Sequence, residues 1–245
     1  FRAYFPMKDG IPGIERCGAF AEFNSSKYDI TLNMRHPRAM EVARRLVSWS
    51  DVVVENFRPG IMESWGLSYE NLKKIKPEII FVRASMYGQT GPLAEVPGFG
   101  AVMQAAAGFT HILGWPDRPP VGPASAYTDT IGACYTAIGI LSAIDYQRRT
   151  GRGQYIDLSQ FEAGTCLLTP AILDYTANDY IHPAQGNRCS YAAPHGAYPC
   201  RGSDRWCALA VFNDEEWDAF CQAIGSPEWT KQQKFTTLLG RKENE

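Results

Sequence analysis

Ala39, Val42, Ala43, Leu46 and Val47 repeat at helical spacing, with Arg38, Glu41, Arg44 and Arg45 filling the other face. Pro37 suits a first-turn position, so an amphipathic helix is predicted here. Val52-Val53-Val54 is β-branched and too short for a helix, and it predicts a buried parallel strand. Glu55-Asn56-Phe57-Arg58-Pro59-Gly60 then turns the chain, because Pro and Gly interrupt regular structure. Ser68 is placed as an N-cap, with Leu67 and Leu72 as a hydrophobic staple, and Pro77 ends that second helix. Ile79-Ile80-Phe81-Val82 predicts a second strand, followed by the glycine loop Tyr87-Gly88-Gln89-Thr90-Gly91-Pro92. Strand, helix, strand, with a loop after each strand, is the rhythm of an α/β fold built on a parallel sheet.

A small Ala-rich helix is expected over 102–109, then a Pro-rich connector over 114–123. A long helix follows, from about Asp129 to Arg148. It is apolar or small on nearly every face until Asp145, which predicts a buried central helix. Arg148 and Arg149 complement its C-terminal dipole, and Gly151 suits its C′ position. Tyr155-Ile156-Asp157-Leu158 predicts a further strand, and 162–180 a helix. From Asn187 the chain is punctuated by Cys, Pro, Tyr and Gly; a strand is then expected over 206–211 and a helix over 215–224. The change of character places a domain boundary near 182–195. This gives a large domain over 1–185 and a smaller one beginning at 195 and running to 245.

Charge narrows the partners. Among 245 residues, 24 Lys+Arg stand against 26 Asp+Glu, for a net charge of −2. That balance gives no electrostatic reason to expect nucleic acid or an anionic membrane. No run of eighteen apolar residues is free of charges and breakers, so no transmembrane helix is expected. Seven scattered cysteines suit reduced thiols in a cytoplasmic protein rather than a disulfide framework.

In an open α/β sheet, ligands bind beyond the carboxyl ends of the strands. Asn56, Phe57 and Arg58 offer an amide, an aromatic face and a guanidinium, which suit stacking on a purine and pairing with phosphate. The loop from Ser85 to Gly91 offers a hydroxyl and backbone amides. Equally, both are simple turns. Asp129 is the only charged residue between Arg118 and Asp145. It reads either as the N-cap of the long helix or as a carboxylate held for nucleophilic attack, and the two roles are compatible. His182, Cys189, His195, Cys200 and Cys207 lack the close pairing of a zinc site, so no metal is expected. His111 reads as structural, and Trp206, Trp217 and Trp229 as core residues of the second unit. Arg148, Arg149 and Arg152 read as a solvated helix end that could also help hold an anion.

Several strings together resemble the class III CoA-transferases, the family of formyl-CoA transferase, carnitine CoA-transferase and α-methylacyl-CoA racemase. They are Phe23-Asn24-Ser25-Ser26-Lys27 with Ile30-Thr31-Leu32-Asn33, then Asp51 through Gly60, then Gly88-Gln89-Thr90-Gly91-Pro92. Asp129 with Gly132, Gly139-Ile140-Leu141 and Arg149-Thr150-Gly151-Arg152-Gly153-Gln154 complete the set. The resemblance implies a Rossmann-like large domain, a smaller domain and an interlocked homodimer. Family members are longer at both ends, so this chain is expected to be the middle of such a protein, without the first βα unit. No permanently bound cofactor is implied; CoA and acyl-CoA are substrates. The implied CoA contacts are Leu32, Asn33, Met34 and Arg35, then Asn56, Phe57 and Arg58, then Ser85, Met86, Tyr87 and Gly88.

Asp129 falls on the catalytic aspartate of the family. The implied reaction moves CoA from an acyl-CoA donor to a carboxylic acid through aspartyl anhydride and aspartyl-CoA thioester intermediates. The alternatives are a CoA-thioester racemase or epimerase, and a catalytically silent CoA-binding subunit. Pro97-Gly98-Phe99-Gly100 stands where the racemase branch carries a His-Asp pair, and Phe99 can neither take nor give a proton. Ser64 stands where some transferases carry a basic residue, which leaves phosphate to Arg35 and Arg58. No run of glycines follows the hinge, which argues against formate or oxalate as substrate.

Overall fold

A computed structural model describes residues 2–245. The chain divides into two compact units, Phe1–Leu46 and Val47–Glu245. In the first unit, helix α1 (Gly18–Phe23) is capped by the Cys17 thiol, which accepts from the Phe20 amide at 3.3 Å. Arg2 bridges Glu15 and Asp29. Helix α2 covers Ala39–Trp49, as its periodicity predicts.

The second unit carries the parallel sheet. Strands β1 (Val52–Glu55), β2 (Ile80–Ser85) and β3 (Tyr155–Ser159) lie in the order β1-β2-β3, all parallel. Short helix α3 (Ile61–Ser64) and helix α4 (Tyr69–Ile75) connect β1 to β2. After β2 come α5 (Gly100–Ala106), α6 (Phe109–Ile112) and the long α7 (Tyr127–Thr150). Alternation along β2 decides what each face meets. Ile80 and Val82 pack with Ala143 of α7, joined by Ile140, Ile144, Val52 and Ile156. Phe81 points the other way and forms an aromatic group with Tyr69 of α4 and Tyr155. A further core gathers Ala107, Phe109, Ile131 and Ala163.

Four expectations change. β1 is parallel but not fully buried: among the described residues it has a partner strand on one side only, and Val54 is half exposed. α7 is not buried all round. Ala143 and Ile131 face protein, whereas Ile138 and Leu141 are exposed, the latter by 67%. A straight helix offers only one stripe to the sheet, and the apolar remainder finds no partner among the described residues. The helix expected over 162–180 is two, α8 (Gln160–Cys166) and α9 (Thr169–Asn178). Pro170 at the start of α9 has no N–H to continue the ladder. Finally, Trp206 is exposed and only Trp217 of the three tryptophans is buried.

Beyond 187 an antiparallel pair forms, β4 (His195–Pro199) with β5 (Trp206–Ala210), followed by α10 (Asp214–Ala223) and α11 (Leu238–Glu243). Trp217, Phe220, Trp229 and Phe235 cluster here, and the Arg241 guanidinium lies 5.1 Å over the Trp217 ring. No helix among the described residues is long and apolar enough to cross a membrane.

Candidate active site

Asp129 lies in the first turn of α7 but is not its cap. The helix begins two residues earlier, at Tyr127, and the Ala126 N-cap has no side chain to offer. Gln104 of α5 supplies the missing acceptor instead. Its amide oxygen takes the Tyr127 N–H at 3.2 Å, while its amide nitrogen donates to the Pro123 carbonyl at 3.4 Å. Among the described residues no group donates a hydrogen bond to the Asp129 carboxylate. The residue is exposed on its open side, and the crowding comes from the α5 side. Partial burial raises its pKa above the ordinary 3.8, because a charged carboxylate loses hydration there.

Gly100 forms the wall beside it, and Gly98 lies two residues earlier. A Cβ on Gly100 would lie 2.6 Å from Asp129 Oδ2 and 2.5 Å from Ala126 Cβ, so only a bare backbone fits. A Cβ on Gly98 would meet Met86 Sδ at 2.5 Å. The Gly98–Gly100 segment therefore touches the loop after β2 on one side and Asp129 on the other. Thr128, fully buried, donates from Oγ1 to the Gly100 carbonyl at 3.2 Å and fixes that approach.

The loop after β2 is well held. Ser85 is buried and its Oγ accepts from Gln89 Nε2 at 3.0 Å. Both Asp157 carboxylate oxygens accept the Gln89 backbone N–H at 3.0 Å. The Met86 carbonyl accepts from Phe161 N at 2.9 Å, and Tyr87 packs on the Phe161 ring with centroids 5.4 Å apart. Gly88 is buried, with φ +83°.

The loop after β1 leaves the same edge of the sheet, since Glu55 and Arg83 are register partners. Asn56, Phe57 and Arg58 are exposed. Phe57 meets Trp65 edge to face at 5.3 Å, and Arg58 lies 3.6 Å from Glu95. Leu32, Asn33, Met34 and Arg35 belong to the first unit, where Asn33 Oδ1 accepts from the Arg35 amide at 3.0 Å and shapes a turn. In the second unit, then, the structure joins Ser85–Gly88 to Asp129 through 98–100, and sets Asn56–Arg58 at the end of the neighbouring strand.

The sequence pointed to the 97–100 segment through Phe99 but not to the close approach of Gly100, and it missed Gln104, Thr128 and Asp157 as parts of this site. Asp157 alone left a signal, as a polar residue near the carboxyl end of a predicted strand. The others act through tertiary contacts that no local spacing encodes.

Loops at the carboxyl ends of parallel strands, closing on an unpartnered carboxylate, define an α/β enzyme scaffold. The model of CoA-transferase family III matches residues 1–245, and the chain belongs to that family. It is 34% identical over 220 residues to succinyl-CoA–D-citramalate CoA-transferase of Chloroflexus aurantiacus, covering 90% of this chain and 54% of the relative. It is 35% identical over 227 residues to acetyl-CoA:oxalate CoA-transferase of Acetobacter aceti, covering 92% and 58%. The crystal structure of a CAIB/BAIF family protein from Brucella suis superposes with a TM-score of 0.90 at 32% identity, covering 99% of this chain and 64% of that one. The chain spans somewhat more than half the length of these curated relatives.

Proposed function

We propose that this chain carries the CoA-binding and nucleophilic part of an acyl-CoA:carboxylate CoA-transferase, with Asp129 as the nucleophile. The observation that carries this reading is the Asp129 carboxylate itself: unpartnered, partly desolvated, and set against bare backbone at Gly100. A carboxylate stabilised by no hydrogen bond is a better nucleophile than a satisfied cap. It attacks the thioester carbonyl, the C–S bond breaks, and an aspartyl anhydride forms with release of CoA thiolate. The thiolate attacks the aspartyl carbonyl, giving an aspartyl-CoA thioester and the free acid of the donor. The incoming carboxylate attacks that thioester, the C–S bond breaks with release of CoA thiolate, and a second anhydride forms. CoA thiolate then attacks the acceptor's own carbonyl and regenerates Asp129. Exposed Asn56, Phe57 and Arg58, the Ser85–Gly88 loop and the Leu32–Arg35 turn are assigned to CoA. Phe99, next to Gly100, offers no proton, which supports transfer over racemisation.

The acceptors in the names of the two relatives, citramalate and oxalate, are both dicarboxylates. This supports a short dicarboxylic acid as acceptor here, with oxalate itself disfavoured by the missing glycine run after the hinge. A smaller domain beginning past 182–195 fits the antiparallel pair and its aromatic cluster. The exposed apolar face of α7 supports a homodimer.

Hydroxylamine trapping tests the reading. Turnover with acyl-CoA must leave a hydroxamate on Asp129, found by peptide mass spectrometry. Normal CoA binding with no Asp129 adduct, or full activity in Asp129→Ala, overturns it.

A further inference from the structure

Arg83 is a cation in the middle of a core strand, only 4% exposed. Its partner in register, Glu55, is 6% exposed. Burying such a pair costs hydration that the mutual attraction repays only with good geometry, and apolar residues would fill the same space at no loss of stability. The pair is therefore better explained by what it holds. Arg83 Nε donates to Glu55 Oε1 at 2.5 Å, and Arg83 Nη1 donates to Glu63 Oε1 at 2.7 Å. Glu55 uses its other oxygen, Oε2, to accept the Phe57 backbone N–H at 2.6 Å. Glu55 ends β1 and Glu63 lies in α3, so one guanidinium grips both shoulders of the Asn56–Arg58 loop.

We infer that Arg83 is a positioning residue for the CoA-binding loop, which sets affinity for the thioester by fixing the Phe57 backbone through Glu55 and the far end of the loop through Glu63. This rests on the assignment of Asn56–Arg58 to CoA. Burial alone would lower the Arg83 pKa, but the hydrogen bond and charge of Glu55, then those of Glu63, outweigh it and raise it. The guanidinium therefore stays charged across ordinary pH. Lysine cannot replace it, because one ammonium does not present donors to two carboxylates in a fixed fork.

The test measures CoA binding by calorimetry and steady-state rates on the full-length enzyme with Arg83→Met, Arg83→Lys and Glu63→Gln. Glu63 is 44% exposed, so Glu63→Gln keeps the fold even where Arg83→Met does not. Coupling of this kind predicts that CoA Kd and acyl-CoA KM rise together, about threefold to tenfold for Glu63→Gln and more for both Arg83 variants, with kcat within about twofold. A Glu63→Gln enzyme with unchanged Kd and KM overturns the inference, as does a loss confined to kcat. If the wild-type protein binds no CoA, the assignment of the loop falls first, and that outcome is distinct.

Discussion

Thr128 Oγ1 donates to the Gly100 carbonyl at 3.2 Å, a fully buried bond that ties the start of α7 to the start of α5. Asp129 is the next residue, so this bond sets how closely the nucleophile approaches Gly100. Thr128→Val preserves shape and removes the donor. Unfolding by urea should show a loss of about 1 kcal/mol, the usual net worth of one such bond. Single-turnover rates should fall with CoA Kd unchanged, because the reacting carboxylate shifts while the strand-end loops do not.

Gly100→Ala is a sharper change at the same contact. The new methyl would lie 2.6 Å from Asp129 Oδ2 and 2.5 Å from Ala126 Cβ, and something must move. Displacement of a nucleophile by about 1 Å costs roughly 100-fold in rate. We expect that loss in kcat, near-normal CoA binding, and a weaker hydroxamate signal at Asp129.

The sheet makes a prediction about stability alone. Phe81 is fully buried between Tyr69 and Tyr155, with centroids 6.4 and 5.9 Å away. Phe81→Ala removes a large ring and leaves a cavity that the flanking aromatics only partly fill, at a cost of about 3–5 kcal/mol. Denaturant melts of the two proteins measure this directly.

What the chain disclosed by itself was local. The valine run of β1, the Ser68 to Pro77 helix and the Ile79–Val82 run each carry their period and their stops, and the βαβ order follows. Asp129 stood out because it is the one charge in a long apolar stretch. Its hydrogen bonding was not legible, because the cap of α7 comes from Gln104, 23 residues away in sequence. The strand over 195–199 left no signal because it holds no β-branched residue; pairing with β5 overrides that weak propensity. The exposure of Ile138 and Leu141 was equally hidden. Composition shows that a helix is apolar, not how many of its faces find a partner.

Asp129 also links catalysis to pH. Its carboxyl is raised above 3.8 by partial burial, so the fold favours the protonated form. The sign follows from linkage: a carboxyl whose folded-state pKa is raised contributes most stability at low pH, and that contribution is lost as pH rises through the raised value. Asp129→Asn removes the ionisation and keeps the shape. At neutral pH the variant should therefore melt at a higher temperature than the wild type. The gap should close as pH falls through the raised value, and vanish below 3.8. The same titration must appear in the reaction, since only the ionised carboxylate attacks. Wild-type kcat/KM should fall on the acid side with an apparent pKa above that of an ordinary aspartate. Melting curves for both proteins across acid to neutral pH, beside a wild-type pH–rate profile, test both effects together. A variant less stable than wild type at neutral pH would show that the carboxylate is held by favourable contacts, and would overturn the account of an unpartnered nucleophile.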